Sequence, residues 1–215
     1  MSVKHAAIIK PHSQIAFVRH GESEWNALGK WTGWVDIPLS QKGRLEAKKA
    51  AQTVAHIPFH MAFTSDLSRA HETLAIIKKE LHLTSIPTFA EYALKERHYG
   101  EYTGKNKWEI QKEIGEEAFK KIRRGWSTSI AQGESLNQVY ERVTMHYTLY
   151  ILPHIISGKN VLFVSHGNTI RAMVKHIENI SDEAIEEVEL ATGEVLIYAL
   201  DKTGKYVGKE KRAVR

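Results

Sequence analysis

The sequence predicts a single α/β domain: a mostly parallel central sheet flanked by helices, with a polar, lid-like insertion. Three observations predict it. Short apolar runs alternate with stretches of helical spacing, the pattern of parallel strands joined by crossover helices. The helical stretches open on residues suited to capping. Three of the apolar runs end abruptly in polar clusters, RHGESEWN, TSDLSRA and SHGN. Open α/β sheets bind ligands at that place, outside the carboxyl ends of their strands.

Residues 15–18 (IAFV) read as the first strand. Ser40 caps a helix in which Leu45, Ala47, Ala51 and Val54 recur at roughly helical spacing. A second strand covers 61–65, and Ser68 opens a helix with Leu74, Ile77 and Leu81 on one face. A weaker strand falls near 88–92. Residues 93–134 then loosen into a largely polar insertion suited to a lid over the sheet's carboxyl edge. A long amphipathic stretch runs from 135 to 156, with Leu136, Val139 and Val143 repeating ahead of Pro153. A strand at 161–165, a short helix opened by Asn168 and a strand at 195–200 complete the pattern. No repeat, low-complexity tract or linker divides the chain, so residues 1–215 read as one domain.

With 215 residues, 42% of them hydrophobic and 26% charged, the chain can build one sizeable core. It has no cysteine, which excludes disulfides, zinc thiolates and thiol nucleophiles and fits a cytoplasmic protein. No apolar run is long enough to cross a bilayer, so no membrane partner is expected. The net charge of +5 contains no block of like charges, so a nucleic-acid footprint is weak.

A lone His20 would be read as a packed side chain. His166 changes that, because it follows VLFVS as His20 follows IAFV, at the end of an apolar strand. Each is followed by a glycine, Gly21 and Gly167, where backbone amides can approach a ligand closely. Asn168 opens a helix whose free N–H groups favour an anion. Arg19 and Arg69 add guanidinium groups with bidentate geometry for phosphate. Together these residues suit a dianionic tetrahedral group. No HExxH occurs, and His56 and His60 span Pro58 with no helix to hold them, so no metal site is expected. Trp25, Trp31, Trp34 and Trp108 read as packing residues. Lys107, Arg123 and Arg124, taken alone, read as a solvated helix face.

The motifs FVRHGESEWN, WTGWVDIPLSQKG, TSDLSRAHET, LKERHYGEYTGKNK, IRRGW, GESL, HGNTIRAMVK and SDEAIEEVELATGEVLIYALD follow one another in this order, within roughly residues 14–202. They resemble those of cofactor-dependent phosphoglycerate mutases, within the histidine phosphatase superfamily. The resemblance implies that His20 is the nucleophile that becomes phosphohistidine. It implies a phosphoryl pocket of Arg19, Asn26, Arg69, His166 and the backbone at Gly167 and Asn168. Glu96 corresponds to the acid/base that handles the substrate hydroxyl proton. Tyr99, Lys107, Arg123 and Arg124 correspond to groups holding the substrate's other end, with Thr32 and Gly33 from the first loop and Ser23 against the site. The stretch GWSTSIAQG between the RR and ESL motifs is shorter than in the family's longer members, and Lys105 stands where Leu is frequent.

The same resemblance implies interconversion of 3-phosphoglycerate and 2-phosphoglycerate, a glycolytic and gluconeogenic step. It would be primed by 2,3-bisphosphoglycerate and would use no metal. The partners are small phosphorylated three-carbon acids, and a homo-oligomer is compatible with the sequence. A broad phosphomonoesterase of the same superfamily is the competing expectation. A noncatalytic anion-binding protein would need neither both histidines nor Glu96.

Overall fold

A computed structural model describes residues 11–212. Six strands form one sheet in the order β3-β2-β4-β1-β5-β6. They are β1 (Ser13–Arg19), β2 (Met61–Thr64), β3 (Thr88–Ala90), β4 (Val161–Ser165), β5 (Val195–Leu200) and β6 (Tyr206–Arg212). The first four run parallel, β5 is antiparallel to β1, and β6 is antiparallel to β5. β1 and β4 are almost wholly buried, as befits central strands covered on both faces. β6 lacks an apolar pattern because it is an edge strand exposed along most of its length, and the sequence pattern does not reveal it.

Two cores cover the faces of the sheet. On one, α2 (Gln41–Val54) and α3 (Ser68–Glu80) bury Ala50, Val54, Leu74 and Ile77 against Val18, Leu162 and Val164. On the other, α6 (Leu136–His146) and α8 (Gly167–Glu178) bury Val139, Val143, Ile170 and Met173 against Phe17 and Phe163. The helix starts differ in how they are capped. Ser40 caps α2 as expected, and Ser135 caps α6 in a capping box with Gln138. Ser68 is instead the first residue of α3, and its N–H donates to Asp36 Oδ1 at 2.7 Å. Leu45 is exposed; the buried stripe of α2 runs through Gly43, Ala47, Ala50, Ala51 and Val54. The predicted 135–156 helix is interrupted by a π turn, Tyr147–Ile151, before α7 (Leu152–Ile156). Pro153 lies just beyond, and its missing N–H and ring disrupt regular α bonding there.

The insertion at 93–134 is less polar inside than its sequence suggests. Helix α4 (Lys107–Ile114) and helix α5 (Glu116–Arg124) close over a core of their own, made of Trp31, Tyr99, Ile110, Phe119 and Ile130. Buried Arg97 ties it together, donating to the carbonyls of Glu134 (2.6 Å), Ile122 (2.8 Å) and Thr128 (3.0 Å). Trp31 is the centre of this small core, whereas Trp108 is half exposed.

After β1 the chain turns against α2 (the four-residue helix α1, Glu24–Ala27, comes next), and this turn depends on two glycines. A Cβ on Gly21 would sit 2.1 Å from Gly43 O, and one on Gly43 would sit 2.0 Å from Glu22 O. Gly21 is therefore required for backbone-to-backbone packing, and its amide already donates to Thr73 Oγ1 at 3.1 Å. It does not open space for a ligand, contrary to the expectation from sequence. Gly21→Ala is expected to cost about 3 kcal/mol, the upper range for overpacking, and to lower Tm by roughly 6–12 °C in thermal unfolding.

Candidate active site

Strand register brings the two histidines together. Arg19 of β1 pairs with Ser165 of β4, and Thr64 of β2 pairs with Val164. His20 and His166 therefore leave the sheet at one level, with Ser65 one position earlier beside Ser165, and the His20 N–H donates to Ser165 O at 2.9 Å. The two imidazoles meet edge to face, with ring centroids 5.0 Å apart.

His20 Nδ1 lies 2.7 Å from Gly21 O. A carbonyl can only accept, so Nδ1 carries the proton and Nε2 keeps its lone pair. Burial, with Arg69 and Arg19 beside it, pushes the His20 pKa well below its ordinary value. The ring is thus held neutral and pre-set for nucleophilic attack through Nε2. His166 Nε2 bonds Ser65 Oγ at 2.7 Å, and its Nδ1 is buried without a partner. Burial, followed by Arg69 and His20, pushes its pKa down as well, so the unliganded pocket favours the neutral ring.

Glu96 stands at the start of α8. Its Oε1 accepts from the N–H of Arg97 (2.8 Å), the N–H of Asn168 (3.2 Å) and Asn168 Nδ2 (3.1 Å). The anion at this helix N-terminus is thus the Glu96 carboxylate, where the sequence suggested free amides. Its carbonyl is fixed by Trp34 Nε1 at 2.6 Å and Arg142 Nη2 at 3.0 Å. The Asn168 amide also donates to Tyr99 Oη at 2.8 Å. Burial raises the Tyr99 pKa, reinforced by Glu96, so its phenol stays protonated.

Two adjoining cavities share Arg19, Glu96, Tyr99 and Lys107 in their linings. The inner one, about 50 Å³, reaches His20, Asn26, Thr32, Gly33 and Arg69. The outer one, about 430 Å³, is lined also by Arg123, Arg124, Gly167 and Asn168. Burial, then Arg123 and Arg19, lowers the Lys107 pKa to about 8. Burial lowers that of Arg69 to about 10, still far above neutrality.

The family model for the histidine phosphatase superfamily (branch 1) matches residues 15–210. The chain belongs to that superfamily. A protein of Schizosaccharomyces pombe named phosphoglycerate mutase is 41% identical over 198 residues, 91% of this chain and 94% of that protein. A Gloeobacter violaceus protein named 2,3-bisphosphoglycerate-dependent phosphoglycerate mutase 2 is 41% identical over 82% of this chain and 80% of its own. Among solved structures, Bacillus stearothermophilus YhfR superposes with a TM-score of 0.79 at 25% identity, covering 91% of this chain and 94% of that one.

In this member of the superfamily most of the expected residues converge on the two cavities, although His166 lines neither. Ser23 does not line either. Its hydroxyl accepts from the Asn26 N–H at 3.2 Å, and it forms a capping box with Asn26 at the start of α1. It therefore positions Asn26. Arg171, which lines the outer cavity, is not among the residues expected from sequence. It donates to Asn168 Oδ1 at 2.8 Å and so fixes which way that amide points. A signal for it exists: an arginine one turn beyond Asn168, on a helix whose residues 168–175 are all buried. Also unforeseen is a collar at 185–190, whose carbonyls hold three arginines. Ile185 O accepts from Arg171 (2.7 Å), Val188 O from Arg124 (3.3 Å) and Leu190 O from Arg19 (2.5 Å).

Proposed function

We propose that this chain is a 2,3-bisphosphoglycerate-dependent phosphoglycerate mutase acting in the cytoplasm as a single catalytic domain. The observation that carries this reading is the two-ended cavity. One end is a neutral, oriented imidazole between Arg19 and Arg69; the other is a cationic chamber of Lys107, Arg123, Arg124 and Arg171. Simple hydrolysis of a monoester needs only the inner end. A substrate with a second anionic group also occupies the outer one.

In this mechanism 2,3-bisphosphoglycerate charges the enzyme: His20 Nε2 forms a bond to phosphorus as a P–O bond breaks. The phosphorylated His20 then gives its group to the free hydroxyl of a monophosphoglycerate, whose proton passes to the Glu96 carboxylate. The bisphosphorylated product reorients and returns its other phosphate to His20. Arg19 and Arg69 meet the charge on the transferring oxygens, where phosphoryl transfer depends on electrostatic stabilisation. A phosphoryl dianion beside His166 favours its cation, and the unpartnered Nδ1 becomes a further donor.

A coupled assay with 3-phosphoglycerate tests the reading. 2-Phosphoglycerate should form, faster with added 2,3-bisphosphoglycerate, and a chelator should leave the rate intact. Release of inorganic phosphate without 2-phosphoglycerate would make the chain a phosphatase instead. The pH profile offers a second check. Lys107 loses its proton as pH rises through about 8, so KM should climb above that pH, and Lys107→Arg should flatten the climb.

A further inference from the structure

The collar at 185–190 also carries an acid. Glu189 lines the outer cavity and pairs with Arg124 Nη2, the guanidinium already held by Val188 O. Arg124 is mostly buried, while the Glu189 carboxylate is largely exposed. Nearby, Lys120 of α5 pairs with Glu187 at 2.8 Å, a second tie between the insertion and the same segment. Underneath, Arg171 Nη2 donates to both Arg124 O (2.9 Å) and Ile185 O (2.7 Å), which fixes the segment and the end of α5 to each other. The backbone of the collar is thus tied down, while the exposed Glu189 side chain beside the cavity has room to move.

We propose that Glu189 is a specificity-determining counter-charge: a placeholder carboxylate that an incoming anionic end must displace from Arg124. The proposal rests on the two-ended reading of the cavity. Its chemistry is competition. Arg124 presents one fork of donors, and in the unliganded chamber that fork is partly filled by Glu189. A ligand whose outer end is a carboxylate or phosphate takes the same donors, and Glu189 turns outward to water at small cost because it is exposed. A neutral ligand end cannot make this exchange. It would leave the Arg124–Glu189 pair closed and gain nothing from the chamber. The same competition weakens the hold on a bisphosphorylated ligand, which must loosen its outer end to reorient. Glu189 therefore trades affinity for exchange.

The experiment is a double-mutant cycle by calorimetry on the full-length protein: wild type, Glu189→Gln, Arg124→Ala and the double variant. The titrants are 3-phosphoglycerate and inorganic pyrophosphate, the latter a two-ended anion with no carbon skeleton. Glu189→Gln should tighten both about two- to fivefold, the scale of one partly exposed charge pair. On the Arg124→Ala background the same change should have little effect, because the competitor has lost its target. An equal gain on both backgrounds would mean general charge relief and would overturn the proposal, as would unchanged or weaker binding in Glu189→Gln. If 3-phosphoglycerate is not isomerised but pyrophosphate affinity still responds through Arg124, the mutase reading fails and the placeholder stands. If isomerisation proceeds and neither titrant responds, the placeholder fails alone.

Discussion

His20→Gln is expected to leave a folded protein whose phosphoryl transfer has fallen by about four decades or more, the scale for loss of a nucleophile. The size of the loss reflects what the site has no second copy of. His20 is the histidine whose Nδ1–H is fixed on a carbonyl at 2.7 Å and whose Nε2 is left to attack, and it lines the inner cavity. Its neighbour His166 is tied through Nε2 to Ser65 and does not line that cavity. Arg19 and Arg69 remain in the variant, so anion binding should outlast turnover. The chemical signature is direct. Incubation with labelled 2,3-bisphosphoglycerate should give the wild type an acid-labile, base-stable label, as a phosphoramidate requires. The variant should give none. Label retained by the variant, or label on a serine such as Ser65, would overturn the assignment.

How much of the fold and site is legible in the sequence depends on where each residue's signal lies. His20 and His166 are readable because each terminates an apolar run at a glycine. The parallel pairing of β1 with β4 then places these two ends side by side. Ser65 belongs to a third strand end, and its bond to His166 arises from the same register. The collar at 185–190 is not readable, since its bonds to Arg19, Arg124 and Arg171 use main-chain carbonyls, which leave no residue-type signature. Gly21 misleads for a related reason. A close backbone approach to Gly43 and a close approach to a ligand demand the same residue, and only the fold distinguishes them. Leu45 shows the limit of periodicity on a helix packed through small side chains: the buried stripe of α2 is glycine and alanine with a single valine, and the larger leucine faces water.

The Arg123→Ala/Arg124→Ala double variant is expected to separate mutase from hydrolase chemistry. Both arginines line the outer cavity and neither lines the inner one. Their surroundings differ. Arg124 spends donors on Val188 O and Glu189, whereas Arg123 bonds no other described side chain or carbonyl and keeps its whole fork for a ligand. Arg123→Ala alone should therefore cost more than Arg124→Ala alone. A hydrogen bond to a charged group contributes about 1.5–3 kcal/mol, so two lost together cost about 3–6 kcal/mol if additive. At 1.36 kcal/mol per decade, mutase kcat/KM should fall by roughly two to four decades. Hydrolysis of a small aryl phosphate, which occupies only the inner end beside His20, should fall far less. Retention of α5 is expected, because Arg171 holds it through the Arg124 carbonyl and not the side chain. Equal losses in both activities would place the arginines in service of the inner pocket or the fold. Loss in neither would return them to a solvated helix face and leave the outer chamber without its proposed ligand.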